Sequence, residues 1–213
     1  MLVDETIGRV LDALDWLGLS DSTAVVFTSD HGDIEGAHNR FDKGAYFYEE
    51  VWRIPLIIRT PNASPATQDA FVSLIDVGET LFCLINAEAV AEQPRAGRNL
   101  MPLAGATTRP AGWPQTAYGV YNRYNGMSFA VRAIRNERYK YVWNPQDIDE
   151  LYDLEIDPYE MRNLQGQIKF NAIEAELRRQ LMAWLATISD SLPERVEELP
   201  PAGTIMATGE MGP

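Results

Sequence analysis

The 213-residue chain contains two histidines, and both lie in one stretch, "TSDHGDIEGAHNRFDKGAYFYEE", spanning residues 28–50. Asp30 and His31 directly follow the run "VVFTS". A carboxylate and a neutral imidazole nitrogen are two usual ligands of a divalent cation. In an open α/β sheet, ligands bind beyond the carboxyl ends of the strands, which is where this pair stands. A turn at Gly32 could bring both side chains toward one point. An imidazole among the donors favours Mn²⁺ or Zn²⁺, because Ca²⁺ prefers oxygen ligands. Two ligands do not complete a site, and at least two more must come from elsewhere. The same tripeptide also reads as a plain turn, with Asp30 capping a helix and His31 partly buried.

The elements around this stretch follow from periodicity. "MLVDETIGRVLDALDWLGL" places Val3, Ile7, Val10, Leu14 and Leu17 on one helical face and stops at Gly18. "TAVVFTS" and "RIPLIIRT" are short, nearly continuous apolar and β-branched runs, the pattern of strands buried on both faces. "DAFVSLIDVGETLFCLIN" reads as a strand or turn near 72–75 and a helix from about Val77 to Asn86. Helix, strand, loop, strand, helix is the rhythm of an α/β domain with a largely parallel sheet. Residues 92–114, rich in Pro, Gly and Thr, read as a surface linker.

"TAYGVY", "SFAVRAIR" and "YKYVWN" are then hairpin strands of a small antiparallel sheet, with turn residues at "YNG" and "RNE". "IDELYDLEIDPYEMRNL" closes it with an Asp-Pro turn. A long helix follows, with Phe170, Ile173, Leu177, Leu181, Trp184 and Ile188 on one face. The fold class predicted is α/β: a partial, mostly parallel sheet flanked by helices (1–114), then a small antiparallel subdomain with a closing helix (115–190). Residues 191–213 lack periodicity and read as a mobile tail.

A net charge of −13 argues against nonspecific nucleic-acid binding, which needs clustered Lys and Arg. No apolar run approaches the roughly 18–20 residues that span a bilayer, so no membrane partner is expected. The single cysteine, Cys83, excludes an intrachain disulfide and reads as a small buried hydrophobe in a helix. Nothing in the sequence assigns a compartment.

The spacing of Asp30, His31 and Lys43, the glycines at 32, 36 and 44, the following "YFYEE" and the strand "RIPLI" together resemble the sulfatase family of the alkaline-phosphatase superfamily. The helix before "TSDHG", the segment "SLIDVGETL" (Gly78 where Pro is usual), "RNLMPLAG" (Asn99 in place of Ser), "RNERYKYVWN" and "ELYDLEIDPYEMRNL" extend the resemblance over roughly residues 1 to 165. It implies cleavage of a sulfate ester, with Asp30 and His31 on an active-site cation, Ca²⁺ first and Mn²⁺ or Mg²⁺ next. Lys43 would contact the ester's anionic group as a point charge; the plainer reading is a solvated lysine. His38 could donate to the leaving oxygen or substrate, or merely pack in the loop. Arg40 is either a substrate contact or a surface residue, and Glu49, Glu50 and Arg53 read as structural ion pairs.

The family's formylglycine nucleophile arises from a "C/S-x-P-x-R" motif upstream of the metal loop, and two further acidic ligands belong to that same half. Cys83 lacks the required Pro and Arg. "SLPER", residues 191–195, fits the pattern formally but follows the last helix, where Pro193 simply ends it. The chain therefore reads as the C-terminal portion of a sulfatase, with the N-terminal half of the catalytic domain as its missing partner and little activity alone. A phosphonate monoester or phosphodiester hydrolase on the same scaffold, or a noncatalytic remnant that binds a partner, are the competing readings.

Overall fold

The structure, a computed structural model, describes residues 2–61, 64–85, 96–124, 126–192, 196–202 and 204. The chain divides into two compact units: Met1–Asp30 with Pro55–Trp113, and His31–Ile54 with Pro114–Pro213.

In the first unit, helix α1 (Leu2–Trp16) precedes strand β1 (Val25–Thr28), which pairs with β2 (Leu56–Arg59). The pair is antiparallel, with Val25 opposite Arg59 and Thr28 opposite Leu56. The sequence reading expected a largely parallel sheet, and these two strands depart from it. The physical reason lies in "LIIR": it looks continuously apolar, yet Leu56 and Ile58 face inward while Ile57 is 61% exposed. One covered face and alternation are what an antiparallel strand shows. Val26, Leu56 and Ile58 pack with Val77, Leu100, Leu103 and Trp113 into a small core.

Helix α3 spans Leu74–Leu84, so residues 74 and 75 are helical rather than the strand or turn expected there. Its start is set by Asp76, whose carboxylate accepts from the Ser73 N–H and the Arg98 N–H, both at 2.8 Å. Thr80 Oγ1 then accepts from the Leu100 N–H at 2.8 Å. These bonds bind the expected linker to the helix, and Leu100 and Leu103 are buried rather than on the surface. Cys83 is half-buried in α3, and Asn86, the expected helix end, lies outside the described residues.

The second unit is built on a four-stranded antiparallel sheet in the order β3 (Ala117–Tyr124), β4 (Met127–Arg135), β5 (Tyr139–Trp143), β6 (Glu150–Asp153). The antiparallel subdomain and its closing helix follow the sequence reading. Period-2 alternation gives the sheet two covered faces. On one, Ile134, Tyr141, Trp143 and Leu151 meet Leu177, Leu181 and Leu185 of helix α4 (Asn171–Thr187). Ile188, expected on that face, is just beyond the helix and largely exposed. On the other face, Val131, Ala133 and Val142 pack against Phe47 and Trp52, the latter in the short helix α2 (Glu49–Trp52). Residues 31–54 are thus the sheet's second covering layer.

The turn after β6 is organised by Asp157, which accepts from the Met161 and Arg162 N–H groups. Of the tail, Val196–Glu198 form a 3₁₀ turn, and Val196 and Leu199 pack on the core. Pro193 to Arg195 and Asn125 of the "YNG" turn lie outside the described residues.

Candidate functional site

β1 presents its end by sheet pairing, and Thr28 Oγ1 adds a bond to the Pro55 carbonyl at 2.8 Å. Asp30, exposed, is the last residue of the first unit. His31 opens the second unit, where Gly32 seats the loop: its N–H donates to the Val51 carbonyl at 2.8 Å. A Cβ at Gly32 would lie 1.8 Å from the Glu50 carbonyl oxygen, so no other residue fits this approach.

His31 Nδ1 lies 2.7 Å from the Gly32 carbonyl, and Nε2 lies 2.7 Å from Lys43 Nζ. An ammonium can only donate, so Nε2 must be the unprotonated nitrogen and Nδ1 must carry the proton. The pairing therefore assigns the tautomer with the Nε2 lone pair toward Lys43, and the Gly32 carbonyl fixes the ring through Nδ1. That is the usual arrangement of a metal-ligating histidine. The donor chemistry of Asp30 and His31, a carboxylate and an imidazole nitrogen, fits a divalent cation. Lys43 Nζ stands beside the Nε2 lone pair. Among the described residues, no group of three or more His, Cys, Asp or Glu side chains is placed to hold a metal.

The structure brings His31 and Lys43 together and gives His38 and Arg40 different neighbours. His38 has a left-handed backbone (φ 52°), and its ring stacks on Tyr48 with centroids 3.7 Å apart. Its side chain is 9% exposed, and Nε2 points at Glu50 Oε2 across 3.7 Å, with neither atom hydrogen-bonded among the described residues. Arg40 donates to Tyr46 Oη at 2.7 Å and lies over the Tyr46 ring. Tyr46 in turn stacks on Tyr48. Two open grooves of about 440 Å³ each border this loop. One is lined by His38, Glu50, Tyr159 and Met161, the other by Arg40, Tyr46 and Phe129; neither is lined by His31 or Lys43.

Glu49 and Glu50 make structural ion-pair contacts, as the sequence reading expected, but their partners, His38 for Glu50 among them, were not legible in the sequence. Glu49 pairs with Arg135 at 3.0 Å and with the buried Lys140 at 2.7 Å. Burial pushes the Glu49 carboxyl up, and Lys140 and Arg135 more than reverse it, leaving it below its ordinary value. Glu160 also contacts Lys140, but there burial prevails and holds the carboxyl above its ordinary value. The available signal was the lone Lys inside the apolar strand "YKYVW".

A family model described as N-sulphoglucosamine sulphohydrolase, C-terminal, matches residues 36–187. The chain belongs to the sulfatase family. The match includes His38, Arg40 and Lys43, while Asp30 and His31 precede it. This sulfatase-family chain is 35% identical over 204 residues to the N-acetylglucosamine-6-O-sulfatase of Bacteroides thetaiotaomicron, covering 92% of the chain and 36% of that protein. The structure of BT4656 with its substrate D-glucosamine-2-N,6-O-disulfate superposes with a TM-score of 0.72 at 32% identity, over 93% of this chain and 40% of that one. A phosphonate monoester hydrolase from Silicibacter pomeroyi superposes at 0.75 with 26% identity, over 87% and 39% of the two chains. The chain thus spans well under half the length of each of these relatives.

Proposed function

We propose that the protein carrying this chain is a metal-dependent sulfuric-ester hydrolase that cleaves sulfate monoesters, with a sulfated sugar as the substrate class. Membership of the sulfatase family supports the reaction, and the names of the two sugar-sulfate relatives support the substrate. The observation that carries the reading is the 2.7 Å approach of Lys43 Nζ to His31 Nε2. It puts a positive charge beside an imidazole nitrogen of the kind that ligates divalent cations. A bound divalent cation, Ca²⁺ in first place and Mn²⁺ or Mg²⁺ next, would polarise the ester there. Asp30 and His31 would hold it. Lys43 neutralises the peripheral sulfate oxygens as charge moves toward the leaving oxygen. His38 and Arg40 contact the sugar side of the substrate.

The nucleophile is assigned to a formylglycine outside these 213 residues, because Cys83 has neither Pro nor Arg at the motif spacing. The chain by itself is accordingly expected to be inactive. A second reading, a phosphonate monoester hydrolase, is favoured by the likeness to the Silicibacter enzyme, since sulfate and phosphonate esters share a tetrahedral anionic centre.

The test uses the protein expressed from its complete reading frame, assayed on 4-nitrophenyl sulfate, sulfated glucosamine and phenyl phosphonate esters. Sulfate hydrolysis should disappear with chelator and return with Ca²⁺. Lys43→Ala should lower kcat/KM by about 10²–10³-fold, the usual loss for one transition-state donor. Faster turnover of phosphonate than of sulfate would establish the second reading. Full activity in Lys43→Ala would remove Lys43 from the reaction.

A further inference from the structure

The layer that carries His31, His38 and Lys43 is fastened to the sheet by a buried ion cluster that the proposed chemistry does not touch. Lys140, the second residue of β5, is fully buried. Its Nζ lies 2.7 Å from the Phe47 carbonyl, 2.7 Å from Glu49 Oε1 and 2.7 Å from Glu160 Oε1. The ammonium donates to the Phe47 carbonyl and is charge-paired with both carboxylates. Glu160 uses its other oxygen to accept from the Glu49 N–H at 2.7 Å, and Arg135 adds a bond to Glu49 at 3.0 Å. The Trp52 ring closes the cluster, its centroid 5.5 Å from Nζ. Glu160 reaches it from the turn after β6 with a left-handed backbone, φ 52°. Next to it, the Phe47 ring fills the space of a Cβ at Gly119, where one would lie 2.2 Å from Phe47 Cε1.

Stability alone does not account for this arrangement. A buried ion cluster replaced by apolar side chains of similar volume is often as stable or more so. Apolar contacts, however, are nondirectional. What the cluster supplies is directed bonds to two backbone groups, the Phe47 carbonyl and the Glu49 N–H, a few residues beyond Lys43. Residues 41–46 have no regular secondary structure of their own to hold them in place.

We infer that Lys140 and Glu160 are positioning residues of the candidate active-site loop: their cluster fixes the backbone at Phe47–Glu49 and so sets Lys43 against His31. The catalytic consequence rests on the proposed function, whereas the structural consequence does not.

The experiment compares three variants of the full-length protein. Lys140→Met leaves Glu49 and Glu160 facing each other with one cation fewer, and loss of folding there is expected. Lys140→Met/Glu160→Met removes one charge of each sign, keeps apolar volume and retains the Arg135–Glu49 pair. Glu160→Gln is isosteric and still accepts from the Glu49 N–H. The double variant should fold with a Tm near that of the wild type. Amide hydrogen exchange over residues 31–46 should accelerate at least about tenfold, with exchange in β4 and β5 unchanged. kcat/KM for the sulfate ester should fall about 10²-fold, as for a catalytic group misplaced by an ångström, with kcat carrying most of the loss. Glu160→Gln should show the same pattern, smaller. A purely structural role would lower Tm and leave exchange over 31–46 and kcat/KM per folded molecule as in the wild type. Wild-type exchange over 31–46 in the folded double variant and in Glu160→Gln overturns the inference. If the wild type cleaves no ester, the proposed function fails and the exchange measurement still decides this one.

Discussion

Glu150 shows how this fold treats a single charge. Burial raises its carboxyl above the ordinary value of 4.5, against the pull of the Tyr152 hydroxyl, which donates to it at 3.0 Å, and of Lys140. The unfolded chain releases this proton near 4.5, and the native state releases it higher. Between those two pH values the native state binds more protons, so stability falls as pH rises through the window and then levels off. Glu150→Gln keeps an acceptor for Tyr152 and removes the penalty on the charge. Its Tm should exceed the wild type's at pH 8, where Glu150 is charged in the folded state. The two should coincide near pH 4, where Glu150 is protonated in both states. A thermal-melt series across pH checks this, and an equal gain at both ends would mean that ionisation is not the cause. At the same scale, Asp30, His31 and Lys43 could be picked out in the sequence because their types and spacing are unusual together. The structure joins two of them. The partner of Glu50 and the role of Lys140 escaped because both depend on tertiary packing, which supplies His38 to the one and the paired carboxylates to the other.

At the scale of elements, Asp76 illustrates a charge that reads as an interruption of an apolar run and proves to be a joint. It is 3% exposed and accepts from the N–H groups of Ser73 and Arg98, tying the start of α3 to the segment before Leu100. Asp76→Ala would orphan both donors, each at about 1–3 kcal/mol when buried. Urea unfolding of the variant should give a loss of about 2–4 kcal/mol, and a loss under 1 kcal/mol would mean that water replaces the carboxylate. The strands β3–β5 and helix α4 were legible because each repeats its period over a whole element. The direction of β1 against β2 was not. Four-residue strands carry too few positions to distinguish one covered face from two, and Ile57 points outward despite its type.

At the scale of the whole molecule, the first unit leaves much of its apolar surface unused. The sequence sets Val3, Ile7, Val10, Leu14 and Leu17 on one helical face, yet no residue of α1 is buried, and Leu2 and Trp16 are more than 80% exposed. Ile57, Ile75 and Ile85 in the same unit are also at least 60% exposed. Covering such a side chain is worth about 1.5–3 kcal/mol, and surfaces that gather many of them associate. The isolated 213-residue chain should therefore bind a hydrophobic dye and sediment as concentration-dependent oligomers. Val10→Glu with Trp16→Glu should shift it toward the monomer without disturbing the second unit, whose core of Ile134, Tyr141, Leu151 and Leu181 is closed on itself by α4. A wild-type chain that sediments as a monomer at every concentration would show that α1 finds cover within its own fold, and the apolar stripe would then have to be read as an internal packing face.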